Sequence, residues 1–181
     1  MCILPLLLFI STNAFPLDLA ALTEKLPHIT LPFSLAEKGY VLTTDFKAGG
    51  NRNKAYIYTF YLSFLITDDD LKSGHIPRLL GFGTQNDGGA YTDADGSIRS
   101  GVLIPLKLRI SRLEGKNEVT VLTKEYKKLS SSGAGNSRLF TAIDHIKLEP
   151  ANYKVRLETL AAVPELAGVP VNFEIGLPGK H

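Results

Sequence analysis

The sequence predicts an all-β protein, an antiparallel β-sandwich of immunoglobulin-like type with seven to eight strands. Three observations carry this expectation. Apolar and polar residues alternate with period two in several segments, as they do when one face of a strand is buried. Turn signals rich in glycine, asparagine and proline separate those segments. No long segment shows the apolar spacing of a core-facing helix. Short strands joined by such turns bury their apolar faces best as two stacked sheets, with a closed barrel as the alternative. No internal repeat or low-complexity linker divides the chain, so a single domain is expected over residues 31–181.

The first 14 residues read differently. Ile3 to Ile10 is an apolar run, followed by the small and polar Ser11, Thr12, Asn13 and Ala14. This pattern resembles the core and cleavage region of a secretory signal peptide, with cutting expected after Ala14. The run is too short to span a bilayer as a helix, so no transmembrane segment is expected. No Lys or Arg precedes it, which departs from the usual leader. Cys2 is the single cysteine. It has no partner for a disulfide, would leave with the leader, and lacks the preceding apolar residues of a lipid-anchor site. Residues 15–30 form an expected N-terminal extension. In it Leu17–Leu26 has room for two helical turns before Pro27 and Pro32 enforce an extended path.

The strands follow in order. Gly39–Phe46 alternates weakly. In KAYIYTFYLSFL, Tyr56, Tyr58, Phe60, Leu62 and Phe64 share one parity and point inward, whereas Ile57, Thr59, Tyr61 and Ser63 are mixed. A helical turn is expected at Asp68–Lys72, with HIPRLLGF adding a short strand after it. In GVLIPLKLRISRL, Val102, Ile104, Leu106, Leu108 and Ile110 face in, and Lys107, Arg109 and Ser111 face out. Pro105 lacks a backbone donor, so this strand is expected at an edge or with a bulge there. Glu118–Thr123 and Arg138–Leu148 are weaker strands, with SSSGAGNS between them as a mobile hairpin tip. NYKVRLETL places Tyr153, Val155 and Leu157 inward; VPVNFEIGL places Val171, Phe173 and Ile175 inward, with Asn172 and Glu174 facing out.

Gly81–Gly101, GFGTQNDGGAYTDADGSIRSG, is the stretch most like a site. A phosphate cradle needs a helix after the glycines and a P-loop lysine, and neither follows Gly83. Asp93-Ala94-Asp95-Gly96 has the acidic spacing of a calcium loop. Counted from Asp93, however, the twelfth position is Ile104, where a bidentate glutamate should close the shell. Asn86 and Asp87 do not repair this. Glycine and aspartate form turns, so a long connection is the better account. Its length exceeds a connector's need, which makes it a candidate partner surface.

The other constellations are weaker. His28, His75, His145 and His181 are dispersed, and Asp144 and His145 point to opposite faces, so no zinc set is expected. Ser130-Ser131-Ser132-Gly133-Ala134-Gly135 lacks the order of a nucleophile elbow. The aromatics Tyr56, Tyr58, Phe60, Tyr61 and Phe64 could stack on sugars, but all except Tyr61 share the core parity. No catalytic, cofactor-binding or metal residue is therefore assigned. Lys+Arg 20 against Asp+Glu 18 leaves a formal charge of +2, too balanced for a nucleic-acid surface. Asp68-Asp69-Asp70 and Lys124, Lys127 and Lys128 read as solvated surface.

Four segments together carry a resemblance: LPFSLAEKGYVLTTDF, YTFYLSF, GVLIPLKLRI and LEPANYKVRLETLAAVPELAGVPVNFEI. The chain resembles exported bacterial β-sandwich proteins of the domain-of-unknown-function family fifty-six twenty-five, over about Leu31 to Ile175. The Leu-x-Pro-x-x-Tyr entry to a strand and the Glu-Leu-Ala-Gly turn are its most specific parts. Ala151 replaces the family's usual glycine after the proline. Relatives often look like lipoproteins, and this chain lacks the required cysteine. The resemblance implies a sandwich and an envelope location, and it brings no catalytic residues.

The functional expectation is a non-catalytic protein-binding module of the bacterial envelope, periplasmic or peripherally envelope-associated. An immunity-type protein is one version, docking through a loop such as Asn86–Ser97. A carbohydrate- or small-ligand-binding domain is the alternative, disfavoured by the absence of tryptophan. An envelope hydrolase with a carboxylate pair meeting only in the fold is the third.

Overall fold

The computed structural model describes residues 27–49, 54–82, 101–135 and 137–178. They contain nine strands: β1 (Ile29–Phe33), β2 (Val41–Ala48), β3 (Tyr56–Leu65), β4 (Leu106–Glu114), β5 (Asn117–Tyr126), β6 (Ser130–Gly135), β7 (Arg138–Leu148), β8 (Ala151–Thr159) and β9 (Val171–Gly176). Two short helices, α1 (Asp68–Ser73) and α2 (His75–Leu79), follow β3, and a 3-10 turn (Pro164–Leu166) precedes β9. Sheet A has the order β1-β9-β3-β7-β6 and sheet B the order β2-β8-β4-β5. Every pairing is antiparallel.

The expected sandwich is present, but its connectivity is not that of an immunoglobulin domain. An immunoglobulin sheet places the first strand beside the second. Here β1 pairs with β9, β2 with β8, β3 with β7, and β4 with β5. These pairs are successive rungs of one long hairpin. The hairpin is rolled so that β9 lies against β3 and β8 against β4. That is a jelly roll, with β6 added at the outer edge of β7.

The core lies between the sheets. Tyr58, Phe60, Leu62 and Phe64 of β3 and Leu106, Leu108 and Ile110 of β4 are fully buried, as their parity predicts. Aromatic rings join the two layers. Phe46 of β2 meets Tyr58 edge-on at 5.4 Å and stacks on Tyr153 of β8 at 5.7 Å. Such pairs contribute roughly 0.5–1.5 kcal/mol beyond their buried area.

Several local expectations are corrected. HIPRLLGF is helical, because Ile76, Leu79 and Leu80 have helical spacing and all pack against the core. Thr67 and Asp70 cap α1 reciprocally, and Gly74, at φ 64°, turns the chain from α1 into α2. SSSGAG is not a hairpin tip: it is the edge strand β6, and with β1, where only an extended path was expected, it raises the count to nine. β4 is interior to its sheet and starts just after Pro105. The missing N–H is therefore never asked to join the ladder, and the Pro105 carbonyl accepts from the Leu160 amide at 2.8 Å. The β4–β5 irregularity falls at Ile110/Ser111 instead, where Val121 is the extra residue. Ser111, expected to face solvent, is buried beside it.

Residues 1–26 lie outside the described residues, so the leader, Cys2 and the Leu17–Leu26 helix are not addressed by this structure. β1 begins at Ile29, two residues before the expected domain start.

Candidate functional site

The two faces of β3 are both buried at its centre. Tyr58, Phe60, Leu62 and Phe64 face the core; Thr59, Tyr61 and Ser63 face the opposite side of sheet A and are just as inaccessible. Register places Tyr61 directly across from Glu174 of β9, and Ser63 across from Asn172. Glu174 is 2% exposed and is the one charged residue among the buried set of the described residues. It was expected to face solvent. Its parity is as read, away from the core, but that face of sheet A is covered at this point.

The Glu174 carboxyl group is surrounded by in-chain partners. Its Oε1 accepts from Arg138 Nη1 at 3.2 Å and, through a short bond, from Ser63 Oγ. Its Oε2 accepts from the Tyr61 hydroxyl at 3.0 Å, with His28 Nε2 at 3.2 Å. His28 Nε2 also lies 3.1 Å from the Tyr61 oxygen. The His28 ring rests on Gly176, where an added Cβ would meet it at 3.0 Å. Burial, followed by the negative charge of Glu174, pushes the Tyr61 phenol far above its ordinary value. Both oxygens thus have two partners each, and a carboxyl group so occupied has no lone pair directed at a substrate.

A second cluster clasps the sheets together at the β5–β7 edge. The Tyr126 hydroxyl and Lys124 Nζ, both from sheet B, donate to Asp144 Oδ2 of sheet A at 2.5 and 3.0 Å. The His145 amide donates to Asp144 Oδ1 at 2.8 Å. Burial opposes ionisation of Asp144, but the bonds from Tyr126, Lys124 and the His145 amide outweigh it and hold its pKa below the usual range. Burial, then the bond to Asp144, pushes Tyr126 well above its ordinary value. His145 turns to the other face and pairs through Nδ1 with Thr59 Oγ1 at 3.0 Å, as the alternation predicts.

The structure brings few of the sequence candidates together. Among the described residues no three His, Cys, Asp or Glu side chains form a metal-sized group. Asn86, Asp87, Asp93, Asp95 and His181 lie outside the described residues. The two ends of their loop are described, and they touch. A Cβ on Gly101 would fall 2.7 Å from the Gly81 amide and the Leu79 carbonyl, and the Val102 amide donates to Leu79 at 2.7 Å. Glycine at both sides of this neck is what lets the backbones meet. Sequence reading singled out Tyr61 but missed its partner Glu174, and with it Ser63 and Arg138, which bond to the same carboxyl group. The available signal was the mixed parity of β3, where Thr59, Tyr61 and Ser63 supply polar groups on a face that an ordinary exterior would fill with charges.

A family model for a domain of unknown function, DUF5625, matches residues 30–177. The chain belongs to the DUF5625 family. The match spans β1 to the residue after β9, so the DUF5625 domain and the jelly roll are the same object. No curated protein matches the chain. A crystal structure of a protein from Sulfurospirillum deleyianum is similar, with a TM-score of 0.66 and 21% identity. The similarity covers 85% of this chain and 99% of that one. At that identity the likeness concerns the fold. The DUF5625 model and this neighbour therefore establish family and architecture.

Proposed function

We propose that the protein is a non-catalytic protein-binding module of the bacterial cell envelope, exported to the periplasmic side, and that it docks its partner through sheet B and the β4–β5 hairpin. The carrying observation is the exposure of that hairpin. Eight of the ten residues of β5 are exposed. From Arg112 to Val121 the arm is exposed on both strands except at half-buried Leu113. It presents Val119 and Val121, which are 42% and 47% exposed. Apolar side chains on a projecting, sheet-supported arm are suited to a protein partner.

The occupied Glu174 carboxyl group supports the non-catalytic reading, since the buried acid is spent on internal bonds. The sugar-binding alternative needs exposed aromatic rings, and the large exposed hydrophobics among the described residues are all aliphatic. Export is supported by the leader-like Ile3–Ala14 segment.

The test is affinity capture from envelope extract with the full chain as bait. A stoichiometric protein partner is expected for the wild type and is expected to be lost with Val119→Asp/Val121→Asp, which leaves the core intact. Equal capture by both baits overturns docking through the arm. Recovery of the tagged protein in the cytoplasmic fraction overturns the export.

A further inference from the structure

Deepening that reading, on which it rests, we propose that Arg109 and Arg156 form a carboxylate-recognition site at the centre of the open face of sheet B, which takes an acidic segment of the protein partner. The two arginines are direct cross-strand neighbours on β4 and β8. Thr43 on β2 flanks Arg156, and Thr123 on β5 flanks Arg109, so register aligns Thr43-Arg156-Arg109-Thr123 across all four strands. All four residues are exposed.

Like charges set directly opposite one another destabilise a sheet. The surrounding face avoids this. Lys107 pairs with Glu125 at 3.0 Å, and Lys154 pairs closely with Glu118. Arg109 has no carboxylate partner among the described residues and donates one Nη2 bond to Thr120. Arg156 reaches Glu158 only at 3.4 Å. Most of the ten N–H donors of the pair therefore face solvent from adjacent planar forks, the geometry that grips a carboxylate with two parallel bonds. The threonine hydroxyls extend the row for a second acidic side chain.

The occupant is a protein segment rather than a polyanion or a lipid surface. Asp45, Glu118, Glu125 and Glu158 share this face, and their charges offset the lysines, so the long-range field is weak. What remains is short-range and directional, which suits discrete carboxylates on an extended chain.

The probe is a fluorescent decaglutamate peptide titrated with the purified full chain at physiological ionic strength, with anisotropy as readout. Binding is expected, and Arg109→Gln and Arg156→Gln should each weaken it about tenfold. Lys47→Gln makes the same charge change at the edge of the same face and should alter it less than about twofold. No binding, or equal loss in all three variants, overturns the site. Tighter arginine-dependent binding of inorganic polyphosphate or phosphatidylglycerol vesicles overturns the assignment to protein carboxylates. Arg109→Gln should also melt no lower than the wild type, because it relieves the repulsion; a clear drop overturns the recognition role in favour of a structural one. If decaglutamate fails to bind while the envelope partner is still captured through the arm, the site is refuted and the binding module stands.

Discussion

Glu174 shows what a buried acid costs and what offsets it. Out of water, a carboxyl group is tolerated only when its oxygens are filled. Ser63, Tyr61 and Arg138 do so from three directions, with His28 at the rim. Glu174→Ala strands a guanidinium and two hydroxyls at once. Arg138 is 36% exposed and can turn partly to water, so the expected loss is about 2–3 kcal/mol rather than the larger figure for a sealed pair. Urea denaturation midpoints measure it. The phenols of Tyr61 and Tyr126, together with Tyr153, which burial also raises, set an alkaline limit. Their folded pKa values lie above the unfolded value near 10, so the stability they contribute is full below pH 10 and drains as pH rises beyond it. Asp144 acts oppositely: its folded pKa is depressed, so its contribution is present above the unfolded carboxylate range and is lost on acidification. Melting temperature against pH is expected to fall at both ends. Tyr126→Phe should flatten the alkaline limb and Asp144→Asn the acid one. Limbs unchanged in the variants would remove the inter-sheet clasp from the stability argument.

At the element scale, two glycine contacts decide how connections close. Gly101→Ala drives a methyl into the Gly81 amide and the Leu79 carbonyl at the neck. Backbone cannot yield there as a flexible side chain would, so destabilisation of about 1–3 kcal/mol is expected by thermal melting. Gly49, at φ 79°, packs against Pro150 while its amide donates to Tyr58. The elements themselves were largely readable. Arg138–Leu148 was predicted to the residue, and the inward sets of β3, β4, β8 and β9 are buried as read except for Tyr56 and Val102, which are half-buried against the core. The errors have physical causes. HIPRLLGF is short, and a run of that length serves either period; Gly74 and the packing of Ile76 and Leu80 chose the helix. SSSGAG carries no strand propensity, and β7 recruits it through backbone pairing, with Ser132 Oγ also donating to the Phe140 carbonyl at 3.0 Å.

At the scale of the whole molecule, the rolled hairpin pairs the two ends of the chain. β1 meets β9 and β2 meets β8, so, apart from the local β4–β5 and β6–β7 hairpins, the strand pairing waits on long loop closure. Refolding is accordingly expected on the slow side of two-state behaviour, in roughly milliseconds to seconds, and stopped-flow fluorescence of the tyrosines checks it. Microsecond refolding would contradict this dependence on long-range pairing. The two sheets are also unequal. The outside of sheet A is buried around Tyr61 and Glu174, and the outside of sheet B stays open with its charges. That asymmetry is why the proposed docking surface lies on sheet B.

The sequence alone determined the strand periods, the core parity and the family likeness. These rest on local alternation, and alternation survives without knowledge of neighbours. Only the tertiary structure decided the jelly-roll order, since antiparallel strands of equal period pair equally well on paper. It alone decided that Glu174 is buried, because parity says which face a residue takes and not whether that face is covered. It alone set Arg109 beside Arg156, because cross-strand register joins residues 47 positions apart that no short-range pattern relates.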